Sequence, residues 1–249
     1  MRLKDRVAFV SGAAGGIGLA ITKAFVAEGA CVVGADLAAE KLGKVYGELQ
    51  SDKVLAIPMD VTDECAVRSA LETACTHFGK LDILVCNAAT ATPLNPVEDI
   101  PTAAWRAALD VNLTSAFLIC KHGVKHVRTA GGGSVVIVAS QMGKVAWAGQ
   151  AAYCTTKGGL IQLAKTMALD YAQAGIRVNT LSPGGTATER LEWRFGSLEE
   201  AERQWGPKHP LGRLGRVEEI ARGAVFLAST DSDFMTGADL VMDGGYTAW

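Results

Sequence analysis

The fold of this chain is decided by residues 7–18, which read VAFVSGAAGGIG. The apolar run Val7–Val10 is typical of a short strand that is buried on both faces. Gly12, Gly16 and Gly18 follow at once, and a helical pattern then continues to Glu28. Glycines at such a turn permit a tight bend and let a pyrophosphate approach the backbone at the positive end of a helix. The stretch therefore predicts a strand, turn and helix that bind a dinucleotide.

Short apolar strands alternate with longer amphipathic segments along the rest of the chain. The strands are predicted at Val7–Val10, Cys31–Ala35, Val54–Met59, Ile83–Cys86, Ser134–Ala139, Arg177–Leu181 and Asp239–Met242. The helices are predicted at Gly16–Glu28, Asp63–Phe78, Thr102–Ala130, Gln150–Ala174 and Val217–Leu227, with Asp63 and Thr102 as N-caps. Repeated βαβ units of this kind predict an α/β fold. We expect a single doubly wound, Rossmann-type domain over residues 1–249, with about seven parallel strands and helices on both faces.

Composition excludes several classes of protein. The chain has 249 residues, of which 49% are hydrophobic and 20% charged, and its formal net charge is -2. This is enough apolar material for a large core, and the balance argues against binding to nucleic acid or an anionic membrane, which would need a basic face. No apolar stretch approaches the roughly 20 residues of a membrane span, and the N-terminus does not read as a signal peptide. We therefore expect a cytoplasmic protein whose six scattered cysteines bind no metal.

One segment breaks the regular alternation. Residues 183–210 carry Pro-Gly and Gly-Pro turns, two tryptophans and clustered charges. A long irregular segment inside a compact domain is usually functional. We expect a mobile lid over a substrate at about residues 184–210, called the lid segment below.

A candidate catalytic group follows from residue spacing. Tyr153 has Lys157 four residues later, which places both side chains on one face of a helix. Ser140 lies at the end of the fifth predicted strand, where a doubly wound sheet presents residues to its ligand, and Asn112 lies on the helix before that strand. A free tyrosine titrates near 10, and an adjacent ammonium lowers its pKa toward the range of a general base.

These motifs resemble those of the short-chain dehydrogenase/reductase family. The spacing Gly12-x3-Gly16-x-Gly18 after Ser11 is similar to its TGxxxGxG motif, and Asn112, Ser140, Tyr153 and Lys157 are similar to its catalytic tetrad. The resemblance covers residues 5–248 and implies hydride transfer between a secondary alcohol and a nicotinamide. It implies that Tyr153 removes the hydroxyl proton, Ser140 holds the reacting oxygen, Lys157 binds the nicotinamide ribose, and Asn112 holds a water.

The same resemblance implies a cofactor site. Asp60-Val61 would contact the adenine, Cys86-Asn87-Ala88-Ala89 stands for the NNAG motif, and Thr186 and Thr188 after Pro183-Gly184 would hold the carboxamide. Asp36 follows Gly18 by 18 residues, where a carboxylate accepts both ribose hydroxyls and repels a 2′-phosphate. Since no basic residue is expected nearby, we predict NAD rather than NADP. The cofactor-binding candidates are Gly12, Gly16, Ile17, Gly18, Asp36, Leu37, Asp60, Val61, Asn87, Ala88, Tyr153, Lys157, Pro183, Gly184, Thr186 and Thr188.

The substrate is left open by the sequence. Specificity in the family lies in stretches that correspond to Thr90–Ile100, Gln141–Gln150 and Thr188–His209, and the last of these contains Glu192, Arg194, Trp205 and His209. Rings mixed with polar groups suit a sugar or polyol. A cyclic or aromatic alcohol and a 3-oxoacyl substrate remain alternatives. The substrate-binding candidates are Ser140, Gln141, Trp147, Gln150, Tyr153 and Trp193.

Other classes of function are less well supported. A non-catalytic NAD-sensing regulator with this fold normally loses part of the tetrad, which is complete here. A metal site at His122 and His126 lacks a third ligand nearby and has basic neighbours, which favours a solvated face. By resemblance, the helices Thr102–Ala130 and Gln150–Ala174 and the tail Asp243–Trp249 form subunit interfaces, which predicts a homotetramer.

Overall fold

The strand order of the sheet determines where the site lies. A computed structural model describes residues 1–248, and within them seven parallel strands form one sheet in the order β3-β2-β1-β4-β5-β6-β7. The strands are β1 (Val7–Ser11), β2 (Cys31–Asp36), β3 (Val54–Pro58), β4 (Ile83–Cys86), β5 (Gly133–Val138), β6 (Ile176–Pro183) and β7 (Asp239–Met242). The order reverses direction between β1 and β4, where Phe9 pairs with both Val33 and Leu84. Ligands of such sheets bind in the crevice at this point.

Helices cover both faces of the sheet, so the predicted fold class is confirmed. One face packs against α3, α5 and α6, and the other against α1, α2 and α9. Over residues 1–248 the α-helices are α1 (Gly16–Ala27), α2 (Ala39–Gly47), α3 (Glu64–Phe78), α4 (Thr102–Leu109), α5 (Ser115–Thr129), α6 (Ala151–Tyr171), α7 (Glu189–Phe195), α8 (Leu198–Trp205) and α9 (Val217–Ala228). Single 3₁₀ turns occupy Val97–Asp99, Gln141–Gly143, Ala172–Ala174, Gly206–Lys208 and Thr230–Ser232.

The long helix predicted over Thr102–Ala130 is interrupted. A π-helical turn, Asp110–Thr114, separates α4 from α5. The predicted N-cap Thr102 was wrong, because Pro101 holds the cap position and Thr102 is the first helical residue. Asp63 caps α3 as predicted, since its Oδ1 accepts hydrogen bonds from the backbone N–H groups of Cys65 and Ala66. π-turns inside helices often mark functional sites, and this one contains Asn112.

The lid segment is more regular than the sequence indicated. It contains α7, α8 and one 3₁₀ turn instead of an irregular loop. Gly196 ends α7 in the left-handed region at φ 88°, and the Ser197 hydroxyl accepts a hydrogen bond from the Glu200 N–H to begin α8. Of the prolines and glycines that predicted a loop, Gly196 and Gly206 cap the C-terminal ends of α7 and α8, whereas Pro183 ends β6. The mobility of the segment stays a prediction.

None of the described helices is both long and apolar enough to cross a membrane.

Hydrogen bonds around Asp243 give the C-terminal tail a defined shape. The Asp243 carboxylate accepts hydrogen bonds from the backbone N–H groups of Gly245 and Thr247 and from the Thr247 hydroxyl, which folds the tail into a turn. Trp249, the last residue of the predicted interface tail, lies outside the described residues.

Candidate active site

Hydrogen bonds from Asn87, the residue that follows β4, hold the glycine turn after β1 in place. Gly12 and Gly16 adopt φ angles of 66° and 50°, which favour glycine. A Cβ on Gly18 would lie 2.0 Å from the Gly12 carbonyl oxygen and 2.6 Å from Asn87 Nδ2. Asn87 Nδ2 donates to the carbonyl oxygens of Ser11 and Gly12, both at 3.0 Å. The N-cap of α1, Gly15, has no side chain to cap the helix, so the first helical N–H groups are left to bind an anion.

A cavity at the carboxyl ends of β2 and β3, called the adenosine cavity below, is lined by the residues predicted to bind the adenosine end of a dinucleotide. Its lining includes Asp36, Leu37, Asp60, Val61 and Ala88, which come from three different strand ends. The structure therefore brings these five predicted residues together.

The Asp36 carboxylate is held by the backbone. Its two oxygens accept hydrogen bonds from the N–H groups of Ala14 at 2.9 Å and Ala38 at 3.0 Å. The expectation that no cation lies near this end was wrong, because Lys41 on α2 reaches the glycine turn. Lys41 Nζ would lie 2.9 Å from a Cβ placed on Gly15, and its ammonium is paired with the Glu189 carboxylate of α7. Sequence reasoning missed Lys41 because it did not predict α2.

Helix α6 and the end of β5 bring three of the four tetrad residues to one cleft. Tyr153, Lys157 and Ser140 all line it, together with Asn87 and Pro183 from the cofactor side. Lys157 is buried, its Nζ donates to the Val138 carbonyl oxygen at 2.8 Å, and it lies 5.7 Å from the centre of the Tyr153 ring. The remaining predicted cofactor residues Ile17, Gly184, Thr186 and Thr188 line the same cleft.

Asn112, the fourth tetrad residue, does not line this cleft. It is buried in the π-turn, and its Oδ1 accepts a hydrogen bond of 2.7 Å from the Thr90 N–H. The side chain thus fixes the start of the loop that follows β4. The water relay to Lys157 expected from the sequence stays a proposal.

The electrostatic surroundings favour ionisation of the candidate tyrosine. Burial opposes the phenolate, but the charges of Arg190 and Lys157, the Ser140 hydrogen bond and the charge of Arg194 outweigh it, so the pKa of Tyr153 is lowered from its ordinary value. Burial also lowers the pKa of Lys157, which the neighbouring phenolate partly offsets. The pair is therefore suited to proton transfer nearer neutral pH than a free tyrosine.

Comparisons with known proteins agree with this geometry. The family model described as Enoyl-(Acyl carrier protein) reductase matches residues 12–247. A cis-4-hydroxycyclohexanecarboxylate dehydrogenase of Sinomonas cyclohexanicum is 38% identical over 246 residues, covering 98% of this chain and 97% of that protein. A D-threitol dehydrogenase of Mycolicibacterium smegmatis is 38% identical over 256 residues, covering 99% and 94%. A 2-(R)-hydroxypropyl-CoM dehydrogenase of Xanthobacter autotrophicus is 37% identical over 249 residues, covering 98% and 99%.

The chain belongs to the short-chain dehydrogenase/reductase family. The predicted membership is confirmed, and so is the prediction of an oxidoreductase of the alcohol dehydrogenase type. Dehydrogenases of this family use nicotinamide cofactors, and the glycine turn and the adenosine cavity fit such a group.

Two arginines from α7, Arg190 and Arg194, line the same cleft. The Arg190 guanidinium carbon lies 4.8 Å from the centre of the Tyr153 ring, and its Nη2 donates to the Thr90 carbonyl oxygen at 2.8 Å. The guanidinium carbon of Arg194 lies 5.7 Å from the centre of the Trp147 ring. Sequence reasoning named Arg194 within the lid segment but missed Arg190. The four-residue spacing that puts both on one helix face could have been used only if α7 had been predicted.

Three of the four other substrate candidates line the cleft. Gln141 and Gln150 are buried in its wall, and Trp147 packs on Trp205 with ring centres 4.3 Å apart. The structure does not bring Trp193 to the cleft, because 74% of its surface is exposed. Arg190, Leu191, Arg194 and Phe195 of α7 line the cleft, so the helical period turns Trp193 to the opposite face.

Of the two histidines considered for a metal site, His122 has an acidic partner, whereas the buried Nε2 of His126 has no hydrogen-bond partner within residues 1–248. His122 Nε2 and Lys121 Nζ both lie 2.7 Å from Glu64 Oε1, so these residues form a surface ion-pair cluster. Across residues 1–248, no group of three or more His, Cys, Asp or Glu side chains is arranged to hold a metal ion.

Proposed function

We propose that this enzyme oxidises a secondary alcohol with NAD and that Tyr153 is the general base. The observation that carries the proposal is the position of Tyr153 beside Lys157 and Ser140, with a lowered pKa, in the cleft that Asn87 and Pro183 also line. When bound, the nicotinamide supplies the acceptor for the hydride. Every other step is the work of side chains of this chain.

Each tetrad residue has a separate role in the proposed reaction. Tyr153 takes the proton of the alcohol hydroxyl as the C–H bond breaks and the carbonyl forms, and in the reverse direction it returns that proton to the ketone. Ser140 donates a hydrogen bond to the reacting oxygen. Lys157 stabilises the phenolate and binds the nicotinamide ribose, and Asn112 holds a water that connects Lys157 to solvent.

The choice of NAD rests on Asp36. Its carboxylate lines the adenosine cavity and is oriented there by the backbone N–H groups of Ala14 and Ala38. A fixed carboxylate accepts the ribose hydroxyls of NAD and repels the 2′-phosphate of NADP. Lys41 would attract that phosphate, but its charge is balanced by Glu189.

For the substrate, we propose a cyclic secondary alcohol. Met142, Trp147, Leu191, Phe195 and Trp205 give the cleft apolar and aromatic walls, which suit the faces of a ring. A relative of this chain acts on a hydroxylated cyclohexane, as its name states.

A polyol is the second candidate, and two buried amide atoms favour it. Gln141 Oε1 and Gln150 Nε2 both lack a hydrogen-bond partner within residues 1–248, and both residues line the cleft. Buried polar atoms are normally paired, so an acceptor and a donor are left for hydroxyl groups of a ligand. The similarity to a D-threitol dehydrogenase points in the same direction.

Absorbance at 340 nm tests the proposal directly. Purified protein would be assayed with NAD and with NADP against cyclic alcohols, polyols, sugars, hydroxy acids and 3-hydroxyacyl thioesters, alongside Tyr153→Phe. We expect NADH formation with a cyclic alcohol and a loss of at least about 10²-fold in kcat for the variant. Binding of NADH, followed by its fluorescence, should be retained by Tyr153→Phe. Equal turnover by the variant would refute the role of Tyr153, and a preference for NADP would refute that of Asp36.

We also propose that the enzyme is a homotetramer. Phe117 on α5 and Leu169 on α6 are 47% and 83% exposed on the two helices that resemble subunit interfaces of the family. Light scattering at micromolar concentration should give four times the chain mass of 26.1 kDa, and a monomer would contradict the proposal. The cytoplasmic location stays a prediction.

A further inference from the structure

We propose that the alcohol oxidised by this enzyme carries a carboxylate, and that Arg190 and Arg194 bind this group in the cleft. The inference rests on the proposed function, because it identifies a second recognition element of the same substrate.

The charge of the cleft is the first observation. The charged residues that line it are Lys157, Arg190 and Arg194, and its lining includes no aspartate or glutamate from the described chain. The oxidised nicotinamide would add another positive charge at the same place. Like charges in a partly buried cleft repel one another strongly, so an anion bound there would be stabilised by all of them.

The second observation is that both arginines lack an acidic partner. Within residues 1–248, neither has a carboxylate oxygen within 4 Å, whereas Arg203 and Arg213 nearby pair with Glu200 and Glu219. Arg190 donates one hydrogen bond to the Thr90 carbonyl, and Arg194 donates a long one of 3.5 Å to the Thr92 carbonyl. A guanidinium has five N–H donors, so most of their capacity is left for a ligand.

The third observation is a neutral donor in the same wall. Gln150 is only 2% exposed, its Oε1 accepts a hydrogen bond from the Thr92 hydroxyl, and its Nε2 has no partner in the described structure. The arginines share one face of α7 at a four-residue spacing, and Arg194 approaches the loop residue Thr92 that also holds Gln150. Planar guanidinium groups bind carboxylates in a bidentate manner.

A cofactor phosphate is the other anion that could occupy such a site. The pyrophosphate is expected at the glycine turn, Gly12–Gly18, at the N-terminus of α1. Arg194 instead lies against Trp147, in the stretch Gln141–Gln150 on the substrate side of the cleft. This position favours the substrate, and the experiment below separates the two sources.

The first test compares acids with their amides. Rates would be measured with 4-hydroxycyclohexanecarboxylate, 3-hydroxybutyrate and their carboxamides, at a pH where the rate no longer depends on pH. We expect kcat/KM to be about 10- to 100-fold higher for an acid than for its amide, which is the usual value of a charge-assisted hydrogen bond. Arg194→Gln should remove most of this difference through KM, and Arg194→Lys should restore part of it. Arg203→Gln, which removes the same charge from the exposed face of α8, should change neither rate.

A second test needs no turnover. Calorimetry on the enzyme–NADH complex would measure binding of cyclohexanecarboxylate, benzoate and butyrate, each against its amide. We expect at least about tenfold tighter binding of one or more acids, lost in Arg194→Gln. Acid binding without any turnover would support the anion site while refuting the proposed function. Turnover with equal binding of acids and amides, or an effect of Arg194→Gln confined to KM for NAD, would overturn the anion site and leave the dehydrogenase reaction intact.

Discussion

The proposed cofactor side of this enzyme, around the glycine turn Gly12–Gly18, and its proposed substrate side, around Trp147 and α7, are built in different ways. On the cofactor side, the positions are set by the main chain: Gly12 and Gly18 allow close approach, and Asn87 and Asp36 bind backbone groups. On the substrate side, side chains far apart in sequence converge, as Trp147 does on Trp205 and Arg190 on Tyr153.

This difference predicts that substitutions are tolerated on the substrate side and are not tolerated on the cofactor side. A backbone turn that encloses a cofactor has almost no freedom to adjust, whereas stacked rings and arginines can be exchanged while the sheet stays intact. Short-chain dehydrogenases can therefore keep one reaction and vary the substrate. Substitutions on the two sides should differ accordingly, and the predictions below begin with the largest effect.

Gly18→Ala should disrupt the cofactor side most severely. The new Cβ would lie 2.0 Å from the Gly12 carbonyl oxygen, a backbone atom that cannot rotate away. We expect the free energy of unfolding to fall by more than about 3 kcal/mol and NADH binding to be lost. Urea denaturation at fixed protein concentration and NADH fluorescence would measure both.

The matched control for this substitution is Gly43→Ala on α2. A Cβ at Gly43 would meet nothing within 4 Å, and alanine is the better helix former by about 1 kcal/mol. The control should be neutral or stabilising. If Gly18→Ala were equally harmless, the turn would not be the rigid element described above.

The contrast also explains how much could be predicted from the sequence. The strand predicted at Val7–Val10, which the structure extends to Ser11, and the glycine turn were predicted because apolar runs and glycine spacing are local signals. Helix α2 was missed because its nine residues include Gly43 and Gly47 and its N-cap, Ala38, makes no side-chain cap. Within the lid segment, α7 and α8 are only seven and eight residues long, too short for a clear periodic pattern.

In the candidate site, too, only residues that are linked by a local sequence pattern could be predicted. Tyr153 and Lys157 were predicted because their spacing lies within one helix. Arg190 was missed because its distance to Tyr153 is set by tertiary packing, 37 positions away in sequence. Lys41 was missed because α2 was not predicted, and only the fold brings that helix next to the glycine turn.

Asp36→Ala should change the choice of cofactor. Loss of a charge-assisted hydrogen bond to the ribose predicts about a 10- to 100-fold rise in KM for NAD. With the repulsion removed, NADP should become a substrate, because its 2′-phosphate can then compete with Glu189 for Lys41, which lies close to the glycine turn. Steady-state rates with both cofactors would measure the ratio.

Two further variants isolate the cause of that switch. Adding Lys41→Gln to Asp36→Ala should remove most of the gained NADP activity. Glu40→Ala, which deletes an exposed acidic charge on the same helix, should leave the proposed NAD preference intact. A comparable switch in Glu40→Ala would mean that only the overall charge of this region matters.

Arg190→Gln should shift the pH dependence of kcat. In the proposed reaction Tyr153 acts as a base when it is ionised, so activity should rise as the pH passes its pKa. Burial raises that pKa, and the charge of Arg190 is the largest of the influences that lower it. Removing the charge should therefore move the rise in activity to higher pH. Below the rise the variant is slower, and well above it the two enzymes should agree for a neutral alcohol. An unshifted profile would show that Arg190 does not act on Tyr153.

Trp193→Ala should have the smallest effect, and it sharpens the description of the substrate side. Trp193 is 74% exposed on the outer face of α7, so its removal should change kcat/KM by less than about twofold and the stability by no more than about 0.5 kcal/mol. Trp147→Ala is the matched comparison, because it removes the same ring from the cleft, where it packs on Trp205. That variant should raise KM for a cyclic alcohol by up to about tenfold, since an aromatic contact is worth roughly 0.5–1.5 kcal/mol. If the two tryptophans exchanged these effects, the lid segment would have to turn its other face to the substrate during catalysis, and α7 would be a moving element instead of a fixed wall.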